Sequence, residues 1–267
     1  MGVNMEKKLE AFKRLLNIMD ELRAKCPWDK KQTFDSLRVN TIEETYELCD
    51  AIMKKDTKEI KKELGDVLLH IVFYSKIASE TNDFDIADVC NSLCDKLIFR
   101  HPHVFGEGNA KSAGEVEQSW EQIKQKEKDG NKSVLAGVPD ALPALIKCYR
   151  IQDKARNVGF DWKEKEDIWH KVEEELNEFK DEVHAMNQEK MEEEFGDLLF
   201  SMINAARLYK INPENALERC NRKFIRRFNH IEKRTKEENK ELSQLSLEEM
   251  DAYWDEAKKI ERENIQS

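Results

Sequence analysis

The chain has 267 residues, with 45 Lys and Arg against 55 Asp and Glu and a formal net charge of −10. That balance disfavours non-specific nucleic-acid binding or attraction to an anionic membrane, and no Lys/Arg block is long enough to reverse it. No apolar run approaches the roughly 20 residues of a membrane span, and the opening MGVNMEKKLEAFKRLL lacks an apolar signal core, so a cytoplasmic protein is expected.

With 37% charged residues, nine Gly and five Pro, the composition points to helix, and strands are not evident. Six cysteines show no paired framework, which favours reduced thiols. Cys90 and Cys94 with His101 and His103 have the composition of a zinc site. They also continue the apolar stripe of Ile86, Leu93 and Leu97, and small core residues are the expectation.

In chain order, the first helix is predicted over 5–25, where Leu9, Phe12, Leu15, Leu16, Met19 and Leu22 keep a helical period until Cys26-Pro27. The loop CPWDKKQTFDS follows. Ile42, Tyr46, Cys49 and Met53 then mark an amphipathic helix whose other side holds Glu43, Glu44, Glu47 and Asp50. The next helix carries Glu63 and Asp66 ahead of an apolar run, and further helices are predicted over 84–99 and 116–128. Gly130, Gly137, Pro139 and Pro143 punctuate DGNKSVLAGVPDALP, so the expected domains are 1–129 and 144–267 with a linker at 130–143. Helices resume over 144–157, 164–186, 191–208, 214–234 and 247–262. The helix over 191–208 has apolar residues all round, as a core helix does, yet includes Glu194 and Asp197.

The two halves repeat one another. ELGDVLL at 63–69 matches EFGDLLF at 194–200, EETYE at 43–47 matches EELNE at 174–178, and Trp28-Asp29 matches Phe160-Asp161. Glu47 precedes Glu63 by 16 residues, as Glu178 precedes Glu194. Lys96 and Arg100 echo Lys223 and Arg227, while Trp120 and Lys124 echo Trp254 and Lys258. A tandem duplication of an all-α helical-bundle domain accounts for these matches together.

On a helix, Glu43, Glu44 and Glu47 project from one side, and in a two-helix hairpin that side can face Glu63 and Asp66. Glu174, Glu175 and Glu178 stand the same way toward Glu194 and Asp197. Carboxylates crowded beside an apolar helix need a counter-charge, because desolvating an unpaired ion costs several kcal/mol. Oxygen ligands without Cys or His select hard cations, Mg²⁺ or Mn²⁺ over Zn²⁺. An ordinary solvated helix face is the competing reading of one EExxE, but the duplicated spacing weighs against it. A di-iron bundle would need Glu-x-x-His motifs. His70 follows Asp66 by one turn, but its counterpart is Ser201, so a satisfied interior histidine is expected.

EETYE with ELGD, and EEELNE with EFGD, resemble the EExxE and ExxD motifs of the all-α nucleoside triphosphate pyrophosphohydrolases. The two-copy layout, CPWD near the start and KFIRRF near the end are similar to the MazG branch of that superfamily, over about residues 5–262. The resemblance implies hydrolysis of a nucleoside triphosphate to monophosphate and pyrophosphate. It also implies metal ligation by Glu175, Glu178, Glu194 and Asp197, and by Glu44, Glu47, Glu63 and Asp66 in the first half. Glu174 and Glu43 become candidates to orient or deprotonate the attacking water.

Phosphate oxygens need donors, and Lys223, Arg226 and Arg227 suit that role if their helix crosses the hairpin; pairing with surface acids is the other reading. Lys96 and Arg100 are the first-half version, and Lys171, Lys258 and Lys124 are further candidates. Trp254 and Trp120 either pack on a neighbour or stack on a base. The second half carries more positive charge, Lys171 and Arg226-Arg227 against Asn40 and Phe99-Arg100, so it is expected to be the more active. The resemblance further implies a homodimer. A regulatory or assembly module with remnant acidic sites is the non-enzymatic alternative.

Overall fold

The computed structural model describes residues 2–106, 116, 123 and 133–266. Trp120 and Lys124 lie outside the described residues, as does most of the helix expected over 116–128. The chain divides into two compact units, Met1–Lys111 and Ser112–Ser267. Among the described residues every regular element is helical. The first unit contains α1 (Gly2–Lys25), α2 (Phe34–Lys54), α3 (Thr57–Glu80), α4 (Ile86–Arg100) and the single turn α5 (Pro102–Phe105). The second contains α6 (Ala144–Arg156), α7 (Ile168–Ala185), α8 (Gln188–Leu208), α9 (Pro213–Glu237) and α10 (Leu247–Gln266). None of these helices is long and apolar enough to cross a membrane.

The centre of each unit is an antiparallel hairpin, α2 with α3 and α7 with α8. Both hairpins close through the same two-residue device. Lys55 ends α2 in the left-handed region at φ 57°, and Asp56 then caps α3 by accepting from the backbone N–H of Lys58 and Glu59. Met186 at φ 56° and Asn187, which accepts from Lys190 N–H, do the same between α7 and α8. Each such N-cap contributes about 1 kcal/mol and fixes where the next helix begins. The turn thereby sets the register of the acids on the two arms.

In the first unit Met19 of α1 packs with Leu37, Val72 and Phe73, and Ile86 at the start of α4 joins the edge of this core. In the second, Ile168 and Val172 of α7 pack against Ala205 of α8, while α6 and α9 cover α8 from other sides.

Two expectations about burial fail. The apolar helix α8 is buried along Ile203 and Ala205, but Phe195, Leu199, Phe200 and Met202 are each 43–47% exposed. An all-round apolar helix marks a surface to be covered, and its own unit covers only part of it. Cys90 and Cys94 are exposed as well, beside exposed Leu93 and Leu97, because α4 touches the first core chiefly through Ile86. His70 is buried, with Nδ1 3.0 Å from Thr41 Oγ1, as an interior histidine should be.

Candidate metal centre and active site

Glu175 lies one turn beyond Val172, on the side of α7 that faces α8, and is only 6% exposed. The hairpin turn brings Glu194 and Asp197 of α8 alongside it, so that one carboxylate oxygen from each of the three lies within 4.8 Å of the others. The first unit repeats the arrangement with Glu44 on α2 and Glu63 and Asp66 on α3, again within 4.8 Å. Glu63 is 3% exposed. Among the described residues, these two acid triads are the groups of His, Cys, Asp and Glu close enough to share an ion, and the Cys90–His103 neighbourhood is not one of them.

The charge in these triads is only partly balanced. Lys171 Nζ bridges Glu174 at 2.9 Å and Glu175 at 2.7 Å, and these carboxylates raise its pKa. In the first unit Lys62 reaches Glu63 Oε1 at 2.7 Å, and Glu63 Oε2 is buried with no partner. Burial, then Asp66, Glu47, Glu63 and Glu43, raise the Glu44 carboxyl above its ordinary value. Burial, then Glu175, Glu174 and Glu194, raise that of Glu178. A set of hard oxygen donors with an orphaned buried carboxylate oxygen fits a hard divalent cation.

Not every expected residue joins the triads. Glu47 and Glu178 are exposed and stand outside the two tightest groups, although both are close enough to perturb a neighbour or be perturbed. Glu43 and Glu174 are exposed one position before Glu44 and Glu175. On α9, Lys223 is exposed, while Arg226 and Arg227 engage Glu261 of α10 at 3.3 and 2.8 Å. Trp254 sits under the Arg227 guanidinium at 5.4 Å and tilts against Phe224 at 5.1 Å. Lys258 pairs with Asp255 at 2.8 Å. In the first unit Lys96 is exposed on α4 and Arg100 is half-buried at its end.

Residues that the motifs did not point to gather beside the second triad. Gln152 of α6, Trp162 before α7, and Ser201, Asn204 and Arg207 of α8 line the same cavity as Glu175 and Asp197. A signal for the α8 members was present: Asp197, Ser201 and Asn204 recur at four and three residues, a polar strip on one side of an otherwise apolar helix.

A family model for the MazG nucleotide pyrophosphohydrolase domain matches residues 32–105 and, again, 163–232. The chain belongs to the MazG family. Each matched segment contains one acid-bearing hairpin, so the MazG domain is present twice. A Thermotoga maritima protein named nucleoside triphosphate pyrophosphohydrolase/pyrophosphatase MazG is 46% identical over 250 residues, covering 92% of this chain and 95% of its own. An Escherichia coli K12 protein named nucleoside triphosphate pyrophosphohydrolase is 42% identical over 255 residues, covering 93% of this chain and 97% of its own. The Bacillus subtilis protein YabN, named as uncharacterized, is 46% identical over 255 residues, 94% of this chain and 52% of its own length. MazG membership makes the chain, by family, a hydrolase of the nucleotide pyrophosphohydrolase type.

Proposed function

We propose that this MazG-family chain hydrolyses nucleoside triphosphates to monophosphate and pyrophosphate with Mg²⁺ or Mn²⁺ as cofactor, removing triphosphates from the cytoplasmic nucleotide pool. The observation that carries this reading is the pair of triads: three carboxylates converge at the same place on two hairpins, with one oxygen from each within 4.8 Å of the others and a Glu63 oxygen buried without a partner.

Glu175, Glu194 and Asp197, with Glu178 beside them, would hold the ion in the second unit, and Glu44, Glu63 and Asp66, with Glu47, in the first. A divalent ion there supplies charge neutralisation for the triphosphate and lowers the pKa of a bound water. Glu174 is exposed beside Glu175 and free to accept the proton of an attacking water once Lys171 releases it. Lys171 then has its ammonium for phosphate oxygens, where a flexible point charge is useful. Arg226 and Arg227 reach substrate only if Glu261 yields them, an exchange of one anion for another. Catalysis on this account is positioning and charge stabilisation.

The exposed apolar side of α8 supports a homodimer, since a patch of this kind is covered in most proteins that carry one. The position of attack is tested by hydrolysing ATP in ¹⁸O-water and reading ³¹P shifts. Label in the monophosphate supports attack at the α-phosphorus; label in pyrophosphate, or release of single phosphate, rejects it.

A further inference from the structure

Tyr253, Trp254, Ala257 and Glu261 follow one another along α10 at the spacing of a single helical stripe, and Tyr253, Trp254 and Glu261 all touch α9. Ala257 between them is 5% exposed. An apolar side chain is expected at the last position of such a stripe, and one stands next door. Ile260 is nevertheless turned outward, 41% exposed, and the Glu261 carboxylate takes the inward place.

There Glu261 serves two guanidinium groups at once. Its Oε2 accepts from Arg227 Nε at 3.0 Å and Nη2 at 2.8 Å, and its Oε1 accepts from Arg226 Nη2 at 3.3 Å. Arg227 also lies 5.4 Å from the centre of the Trp254 ring, which fixes it from a second side. Burial pushes the Glu261 carboxyl up, but the Arg227 hydrogen bond and the charges of both arginines outweigh it and hold the group below its ordinary value. Two positive charges thus share one negative charge, and the cluster still attracts a further anion. The middle of α10 is held separately, by buried Ala257 and by Glu256 on Arg234 at 3.3 Å, so Glu261 can let go without the helix leaving α9.

We infer that Glu261 is an internal competitor for the phosphates of the substrate: it occupies Arg226 and Arg227 in the free enzyme, gives way to a polyphosphate, and thereby sets the KM. The inference rests on reading these arginines as phosphate donors in a triphosphate hydrolase. Carboxylate and phosphate oxygens satisfy a guanidinium in the same two-pronged way, so one replaces the other without rebuilding α9. Binding then bears the cost of breaking the Glu261 contacts, and the apparent affinity falls with the fraction of enzyme whose arginines are released. Those contacts are broken alike in the substrate complex and in the transition state, so they weigh on KM and leave kcat alone.

Glu261→Gln keeps the shape of the side chain and removes its charge. Steady-state hydrolysis of ATP by this variant should show a KM about three- to tenfold lower than that of the native chain, with kcat within about twofold. In a chain carrying Arg226→Met and Arg227→Met, adding Glu261→Gln should move KM by less than about twofold, since no contact is left to break. A carboxylate that positions the arginines would give the opposite split, a lower kcat or a higher KM in Glu261→Gln; either result overturns the competitor, as does an unchanged KM. A fall in KM that persists without the arginines is a through-space effect of one negative charge fewer and overturns it too. The arginine variant also separates the two readings. If its KM matches the native one, the arginines are not phosphate donors and both readings fall; if its KM rises while Glu261→Gln in the native chain changes nothing, the donors stand and the competitor falls. Should the native chain cleave no ATP, the dissociation constant of a non-hydrolysable ATP analogue takes the place of KM in the same chains, and the competitor is judged apart from the hydrolase reading.

Discussion

Arg207 of α8 reaches across to Asp161, forking onto both oxygens of its carboxylate, with Nη1 to Oδ2 at 3.1 Å. Arg207 is 8% exposed, and its guanidinium also donates to Asn204. One buried cation thus ties the segment before α7, including Trp162, to the helix that carries Glu194 and Asp197. In the first unit Arg23 of α1 serves the corresponding loop differently, donating to the backbone carbonyls of Asp29 and Gln32.

Arg207 is buried but 21% of the Asp161 side chain is exposed, so removing the cation leaves a partly solvated carboxylate without its partner. Arg207→Met should therefore lower unfolding stability by about 2 kcal/mol, less than the loss of a fully buried pair. Arg207→Met with Asp161→Asn should recover part of that loss, because no bare carboxylate remains. Urea unfolding of both variants checks this, and a single-variant loss below about 1 kcal/mol would show that the fork is solvent-screened.

Arg23 also forks onto Glu80, at 2.7 and 2.9 Å, and this hydrogen-bonded guanidinium holds the Glu80 carboxyl below its ordinary value of 4.5. A depressed carboxylate adds stability that is complete above its unfolded value and disappears as pH falls through the folded one. Glu80→Gln should consequently cost about 1 kcal/mol or less at pH 7, given the exposure of Glu80, and nothing in acid below both values. Thermal melts of the two proteins across that range check the sign; a difference that grows toward low pH contradicts it.

The hairpins, their order and their acids were legible because local rules place them. A helical period, the repeated spacing from Glu47 to Glu63 and from Glu178 to Glu194, and a cap at Asp56 or Asn187 suffice. What escaped depends on residues distant in sequence. Nothing near Arg227 announces that Glu261 will hold it, and nothing near Gln152 announces a cavity shared with Asp197. The apolar girdle of α8 has the periodicity of a core helix, but periodicity records which sides are apolar, not whether this chain covers them. Glu178 and Glu47 share a motif with the triad members, but an extra turn of helix carries them to the exposed end of the group.

The halves should contribute unequally to activity. Glu194→Gln in the full chain should lower ATP hydrolysis by roughly a hundredfold or more, at least the loss typical of disturbing a metal site. Glu63→Gln should leave most of the rate, since the second half sets Lys171 and Arg226-Arg227 against Asn40 and Phe99-Arg100 in the first. Steady-state assays of both variants on the same triphosphates check this, and a larger loss in Glu63→Gln would reverse the assignment.

Gly196 shares a face of α8 with Leu199 and Phe200, and a Cβ added there meets nothing within 4 Å. In an isolated chain Gly196→Ala should be stabilising by about 1 kcal/mol, the helix-propensity difference. If that face pairs with a second copy, the added methyl instead weakens self-association. Sedimentation across a dilution series separates the cases. Loss of dimer in Gly196→Ala supports the proposed homodimer, whereas unchanged association with a raised melting temperature places the interface elsewhere.

The central claim is that convergent carboxylates make a divalent-ion site at which a triphosphate is split. Its most direct measurement is pyrophosphate release from ATP with Mg²⁺, without it, and in Glu175→Gln, with far-ultraviolet circular dichroism recorded on each sample. Release that requires the metal and is abolished in a fully helical Glu175→Gln is the predicted result. Full release without a divalent ion, or from the helical variant, would contradict it.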